Sequence, residues 1–128
     1  MSATQTVLIL DDDPEVCAAL TMALEADGRH LIVCRDIESA QIIVEQFPIT
    51  HIITDIKLTG PFRFEGLDVI DLAKRNPQEV SVVVITGHDE PQTRTRCLTA
   101  GAAAYLRKPL EVEALLSAIY RAVGIQSC

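Results

Sequence analysis

The chain reads as an α/β domain built on a mostly parallel sheet with helices on both faces. Five short apolar runs alternate with five segments of helical periodicity over 128 residues, the pattern of successive strand–helix units joined by right-handed crossovers. The runs tend to be continuously apolar rather than alternating, as expected of strands covered on both faces. Four of them lead directly into polar residues, Asp11-Asp12, Asp55, Thr86 and Lys108. In a sheet whose strands all point one way, those residues share an edge.

Taken in order, Val7–Leu10 is the first strand and runs into Asp11-Asp12-Asp13. Asp13-Pro14-Glu15 starts a helix, with an N-cap acceptor, a proline at the first helical position and an acid in the first turn. Val16, Leu20, Ala23 and Leu24 share its inner face, and Asp27-Gly28 stops it. Leu31–Cys34 is the second strand. The second helix runs from Asp36 to Phe47, with Ala40, Ile43, Val44 and Phe47 at helical spacing, and Pro48 ends it. Ile49–Thr54 is the third strand, and Asp55 stands at its tip. Gly and Pro mark Lys57 to Gly66 as a loop. Leu67, Ile70 and Ala73 stripe a third helix that stops at Asn76-Pro77.

Val80–Ile85 is the fourth strand and the most β-branched run, followed by a loop from Thr86 to Pro91. Gln92–Ala100 is the weakest helix: Thr93, Thr95 and Thr99 are poor helix formers, and only Cys97, Leu98 and Ala100 offer an apolar face. This makes 87–100 the segment expected to move. Gly101 closes it, Ala103–Leu106 is the fifth strand, and Arg107-Lys108-Pro109 follows. The last helix puts Val112, Leu115, Leu116, Ile119 and Val123 on one face, with Gly124 as its C-cap.

The length suits one domain with one core, and 48% apolar residues argue against disorder. A net charge of −7 argues against direct binding of nucleic acid. The charge is uneven: residues 1–71 carry 13 acids and 4 bases, residues 72–128 carry 5 acids and 7 bases. Cys17, Cys34 and Cys97 fall within apolar patterns, Cys128 is terminal, and no pair has zinc-site spacing. The first residues lack the charged and apolar regions of a signal peptide, and no segment approaches a membrane span. A reduced, cytoplasmic protein is expected. His30 and His51 have no evident partners and are expected at the surface.

If the first strand is central and lies beside the third, Asp11, Asp12 and Asp55 converge. Two like charges about 4 Å apart cost roughly 4 kcal/mol at an effective dielectric near 20, so three carboxylates need a counter-charge. An oxygen-only donor set suits Mg²⁺, and Lys108 adds a fixed cation. Such a site suits phosphoryl transfer, with a carboxylate attacking phosphorus and the cations stabilising the equatorial oxygens. Asp55 is the expected nucleophile. Thr86 offers a hydroxyl to one phosphoryl oxygen, and the Gly87 N–H lies nearby.

The acidic pair Asp11-Asp12, the lone Asp55, Thr86-Gly87 and Lys108-Pro109, in this order and each at a strand end, resemble the receiver domain of two-component response regulators over Val7 to Val123. The resemblance implies a flavodoxin-like (βα)5 fold with sheet order 2-1-3-4-5. It implies that Asp55 is the phosphoacceptor, fed by a sensor histidine kinase or phosphotransfer protein. Asp12 would bind Mg²⁺ directly, Asp11 mainly through water, and the carbonyl of Lys57 would be a further ligand. Thr86 and Tyr105 would form a switch pair, Lys108 would bind the phosphoryl group, and the Lys108–Pro109 bond would be cis. The surface of helix four, strand five and helix five, with Arg94, Arg96, Arg107 and Arg121, would serve a homodimer or a downstream effector. The alternative for those arginines is a merely solvated face.

The chain departs from that pattern in three places, one of them Leu110 where an aromatic more usually follows Lys-Pro. Thr59 replaces the usual proline, and about three extra residues fall around Pro61-Phe62-Arg63-Phe64, which suggests a flap over the site or a partner contact. Lys57 and His88 occupy the positions that tune the lifetime of the phosphoryl group. Two other functions compete with this one. A Mg²⁺-dependent phosphatase would want an acid at position 57 and a substrate-capping insertion. A non-phosphorylated interaction module on the same fold would be favoured by loss of an acid or of the lysine, and neither is lost. With no output domain after the last helix, the chain is expected to be a single receiver domain, either stand-alone or cut from a longer regulator.

Overall fold

The computed structural model describes residues 5–26, 28–55, 65–87 and 91–122. Lys57, Thr59, the Pro61–Phe64 stretch, His88 and Gly124 lie outside the described residues. The strands are β1 (Gln5–Leu10), β2 (Arg29–Cys34), β3 (His51–Asp55), β4 (Ser81–Thr86) and β5 (Ala104–Arg107). The helices are α1 (Pro14–Leu24), α2 (Ile37–Gln46), α3 (Glu65–Lys74), α4 (Pro91–Ala100) and α5 (Val112–Ala122). The five strands are parallel in the order β2-β1-β3-β4-β5, as expected. β1 and β2 begin two residues before their apolar runs, because the ladder continues through Gln5↔Arg29 and Thr6↔His30.

The period of two along each strand divides the core. Leu8, Leu10, Ile52, Val82 and Val84 face one layer, with Ala40 and Val44 of α2, Val69, Ile70 and Ala73 of α3, and Cys97 of α4. Val7, Ile9, Ile53, Val83 and Ile85 face the other, with Cys17, Leu20 and Leu24 of α1 and Leu115, Ala118 and Ile119 of α5. Helix starts follow their caps: Asp13 Oδ1 accepts from the Glu15 N–H at 2.9 Å, and Asp36 Oδ1 from the Ser39 N–H at 2.7 Å. Among the described residues no helix is long and apolar enough to cross a membrane.

Three expectations are corrected. Phe47 was placed on the inner stripe of α2, but it is the helix C-cap in extended backbone, and its ring is 48% exposed. Val112 was placed on the inner face of α5, but at the first helical position it is 51% exposed and borders a groove. His51 was expected at the surface and is completely buried. Strand alternation puts it on the Ile53 side of the sheet, under α5. Its Nε2 donates to the Ile119 carbonyl at 3.1 Å, and its Nδ1 lies 2.8 Å from the Thr50 hydroxyl. Ile119 is in the last turn of α5. His51 thus ties β3 to the end of α5 from below.

α4 is anchored thinly. Cys97 is its one buried residue, and Leu98 is 41% exposed. The helix closes at Gly101, where φ is +120° and the N–H groups of Gly101 and Ala102 return to the Cys97 carbonyl.

Two predictions follow from these details. Gly101→Ala forces a side chain into a left-handed backbone and brings its Cβ to 2.6 Å from Lys74 Cε. Lys74 can swing aside, so the backbone dominates, and a loss of about 1–3 kcal/mol is expected in urea unfolding. Burial depresses the His51 pKa below its ordinary value of 6.5, outweighing the hydrogen bond to Ile119. The unfolded chain therefore takes up the proton first as pH falls. Stability should be lost as pH drops below about 6.5, at up to ~1.4 kcal/mol per unit, until the folded-state value is passed. Unfolding free energies from pH 7.5 to 5.5 should show this slope in the parent and not in His51→Gln, which keeps a donor for Ile119.

Candidate functional site

The strand order reverses at β1 and β3. A crevice opens outside the carboxyl ends of two such strands, and it is there that the two acids stand. Asp11 follows β1 and is 1% exposed; Asp55 is the last residue of β3, with its side chain 13% exposed. Lys108, just past β5, reaches across to both, with Nζ 2.8 Å from Asp55 Oδ2 and 3.3 Å from Asp11 Oδ2. The Lys108 N–H also donates to the Thr86 carbonyl at 2.7 Å, which ties this residue to the end of β4. The Lys108–Pro109 bond is cis.

Asp11 is held on three sides. Its Oδ1 accepts from the Asp13 N–H at 2.9 Å, its Oδ2 meets Lys108, and its own carbonyl accepts from the Cys17 thiol at 3.3 Å. Burial pushes its carboxyl above the ordinary value, with the Asp13 amide and Lys108 opposing. On Lys108, burial pulls downward, but the hydrogen bond and charge of Asp55, followed by those of Asp11, outweigh it and the net shift is upward. The site is therefore one in which a positive charge is strongly favoured.

Asp12 is exposed beside this pair. Among the described residues no three His, Cys, Asp or Glu side chains gather closely enough to hold a metal ion. What is gathered is two carboxylates around a cation, hard oxygen donors with Asp12 next in the chain, and this donor set fits a hard divalent ion. The thiols do not compete: burial pushes Cys34 up to about 12 and raises Cys17 and Cys97 as well, so they stay protonated.

Thr86 is fully buried at the end of β4, and Tyr105 is 5% exposed on β5. Tyr105 pairs with Val84, two residues before Thr86, so both side chains face the α4 layer. Glycine is not required sterically at position 87, because a Cβ there would meet nothing within 4 Å. Next to Lys108, a groove of about 380 Å³ runs between Val16, Ala19, Leu20 and Ala23 of α1 and Pro109, Leu110, Val112 and Leu115.

The structure thus brings together Asp11, Asp55 and Lys108 and sets Thr86 and Tyr105 behind them; Lys57 lies outside the described residues. Sequence reasoning missed two parts of this surrounding. Asp13 was read only as a helix cap, although an acid followed two residues later by an available N–H is the spacing of an Asx turn. Arg94, read as part of a surface, lies with its guanidinium carbon 5.6 Å from the centre of the Tyr105 ring; no local signal pairs residues on different elements.

Comparison with known proteins agrees with this geometry. The family model described as "Response regulator receiver domain" matches residues 7–120. The nitrogen assimilation regulatory protein NtrX of Azorhizobium caulinodans is 32% identical over 117 residues, 91% of this chain and 26% of that protein. The C4-dicarboxylate transport transcriptional regulatory protein DctD of Pseudomonas aeruginosa is 27% identical over 127 residues, 97% of this chain and 26% of its own length. The chain spans about a quarter of the length of these relatives. The solution structure of the beryllofluoride-activated NtrC4 receiver domain dimer superposes with a TM-score of 0.83 at 30% identity, over 95% of this chain and 98% of that one. A receiver's sheet order, the acids at the β1/β3 crevice and a family match across the whole sheet lead to one conclusion: the chain belongs to the response regulator receiver domain family.

Proposed function

We propose that this receiver is a phosphoryl switch in which Asp55 accepts a phosphoryl group from a histidine of a sensor kinase or phosphotransfer protein. The observation that carries this is the single ammonium of Lys108 within reach of both Asp55 and Asp11. An oxygen of the Asp55 carboxylate attacks phosphorus, the P–N bond to the donor histidine breaks, and the leaving imidazole keeps the electron pair. Lys108 already stands where negative charge develops on the phosphoryl oxygens, so little reorganisation is needed. The Thr86 hydroxyl donates to one of those oxygens, and Tyr105 on the same face follows its movement.

Asp12, Asp55 and the Lys57 carbonyl, with Asp11 mainly through water, would hold Mg²⁺, which when bound would supply Lewis-acid stabilisation of charge on the phosphoryl oxygens. The chain is then a switch that phosphorylates and dephosphorylates itself rather than a turnover enzyme. Its output passes through α4, β5 and α5, to a second copy, an effector or an output domain. The activated NtrC4 receiver is a dimer, which supports the first of these.

The apolar groove between α1 and α5 supports a protein donor, because a small phosphodonor needs no docking surface beside Asp55. Two outcomes are expected. Acetyl phosphate with Mg²⁺ should add one phosphoryl group by intact mass, and Asp55→Asn should take none. An unmodified parent under those conditions would favour the interaction-module function instead. Ala19→Glu places a charge in the groove; it should slow transfer from a phosphorylated kinase at least tenfold and leave the acetyl phosphate rate unchanged.

A further inference from the structure

α4 carries Arg94 and Arg96 and no acid, with Cys97 as its one buried residue. A helix docked through so little apolar surface depends on whatever else binds it to the sheet. Beside its packing on α3, one further attachment runs to β5. Tyr105 is 5% exposed in the α4 layer, and the Arg94 guanidinium carbon lies 5.6 Å from the ring centre. A cation over an aromatic face within about 6 Å is attracted by the ring quadrupole, and arginine makes such contacts more often than lysine. Arg94 is itself exposed, so it spans from solvent to the edge of the core.

We propose that Arg94 is a positioning residue that holds Tyr105 in its buried orientation and, through the ring, fastens α4 to β5. The two effects are one contact. Tyr105 cannot leave the α4 layer without pushing Arg94 off its face, and α4 cannot lift without uncovering the ring. Arg96 lies two residues further on the same helix, and two residues along a helix do not share a face. It borders a shallow groove with Pro91, Gln92 and Thr95 instead, which makes it the matched control. As a part of the switch this inference rests on the phosphoryl function proposed above; as a contact it stands by itself.

The test uses the full chain, which has two tyrosines and no tryptophan. With Tyr120→Phe as background, 3-fluorotyrosine reports Tyr105 alone by fluorine NMR. Arg94→Ala should shift the ring towards the solvent-exposed population by about two- to fivefold, the range such a contact gives at an exposed site. Amide exchange over 91–100 should quicken by a similar factor and stay unchanged in α5. Arg94→Lys keeps the charge and should recover part of both effects, and Arg96→Ala should produce neither. An unmoved ring signal in Arg94→Ala, or equal effects of the two alanine variants, would overturn the proposal. Acetyl phosphate labelling of the same samples separates the two readings. A normal adduct with an unmoved ring sinks the latch alone. A shifted ring in a chain that takes no phosphoryl group upholds the contact and sinks the switch.

Discussion

One ammonium between two carboxylates is the interaction on which the site depends, and it constrains the whole fold. Lys108 and Asp11 are 97 positions apart in the chain and meet at 3.3 Å. Nothing local can place them. They meet because β1 lies next to β3 and because Lys108 is tied to the end of β4 through the Thr86 carbonyl. Burying such charges is unfavourable unless they are paired and hydrogen-bonded. Asp11 meets that condition with the Asp13 amide on one oxygen and Lys108 on the other. Removing any one partner leaves the others less well compensated, so the site is cooperative in the ordinary electrostatic sense.

Much of this was legible in the sequence. Strands buried on both faces announce themselves as unbroken apolar runs, and residues at their ends must lie on one edge. Asp11, Asp55, Thr86 and Lys108 could therefore be put together without coordinates. The weakness of α4 was legible too, from its threonines and its lack of an apolar stripe, and the structure buries only Cys97.

What was not legible has a common cause. Helical spacing does not say where along a helix contact with its neighbour begins or ends, so Phe47, just past α2, and Val112, at the start of α5, were assigned to faces that do not reach them. His51 was read by its polarity. Its burial depends on a carbonyl 68 positions away in α5 and on the Thr50 hydroxyl, and only the assembled fold supplies both. Arg94 on Tyr105 belongs to the same class. In each case a polar group is explained by a partner from another element.

The division of the core by strand alternation has a wider meaning. Thr86 and Tyr105 look into the layer of α2, α3 and α4, while the groove beside Lys108 opens between α1 and α5 on the opposite side. If phosphoryl groups arrive along that groove, the sheet is a partition wall with a single window at its carboxyl edge. A donor on one side and a listener on the other need never compete for the same surface. Either face is then at liberty to change its partner while the chemistry at the window stays as it is.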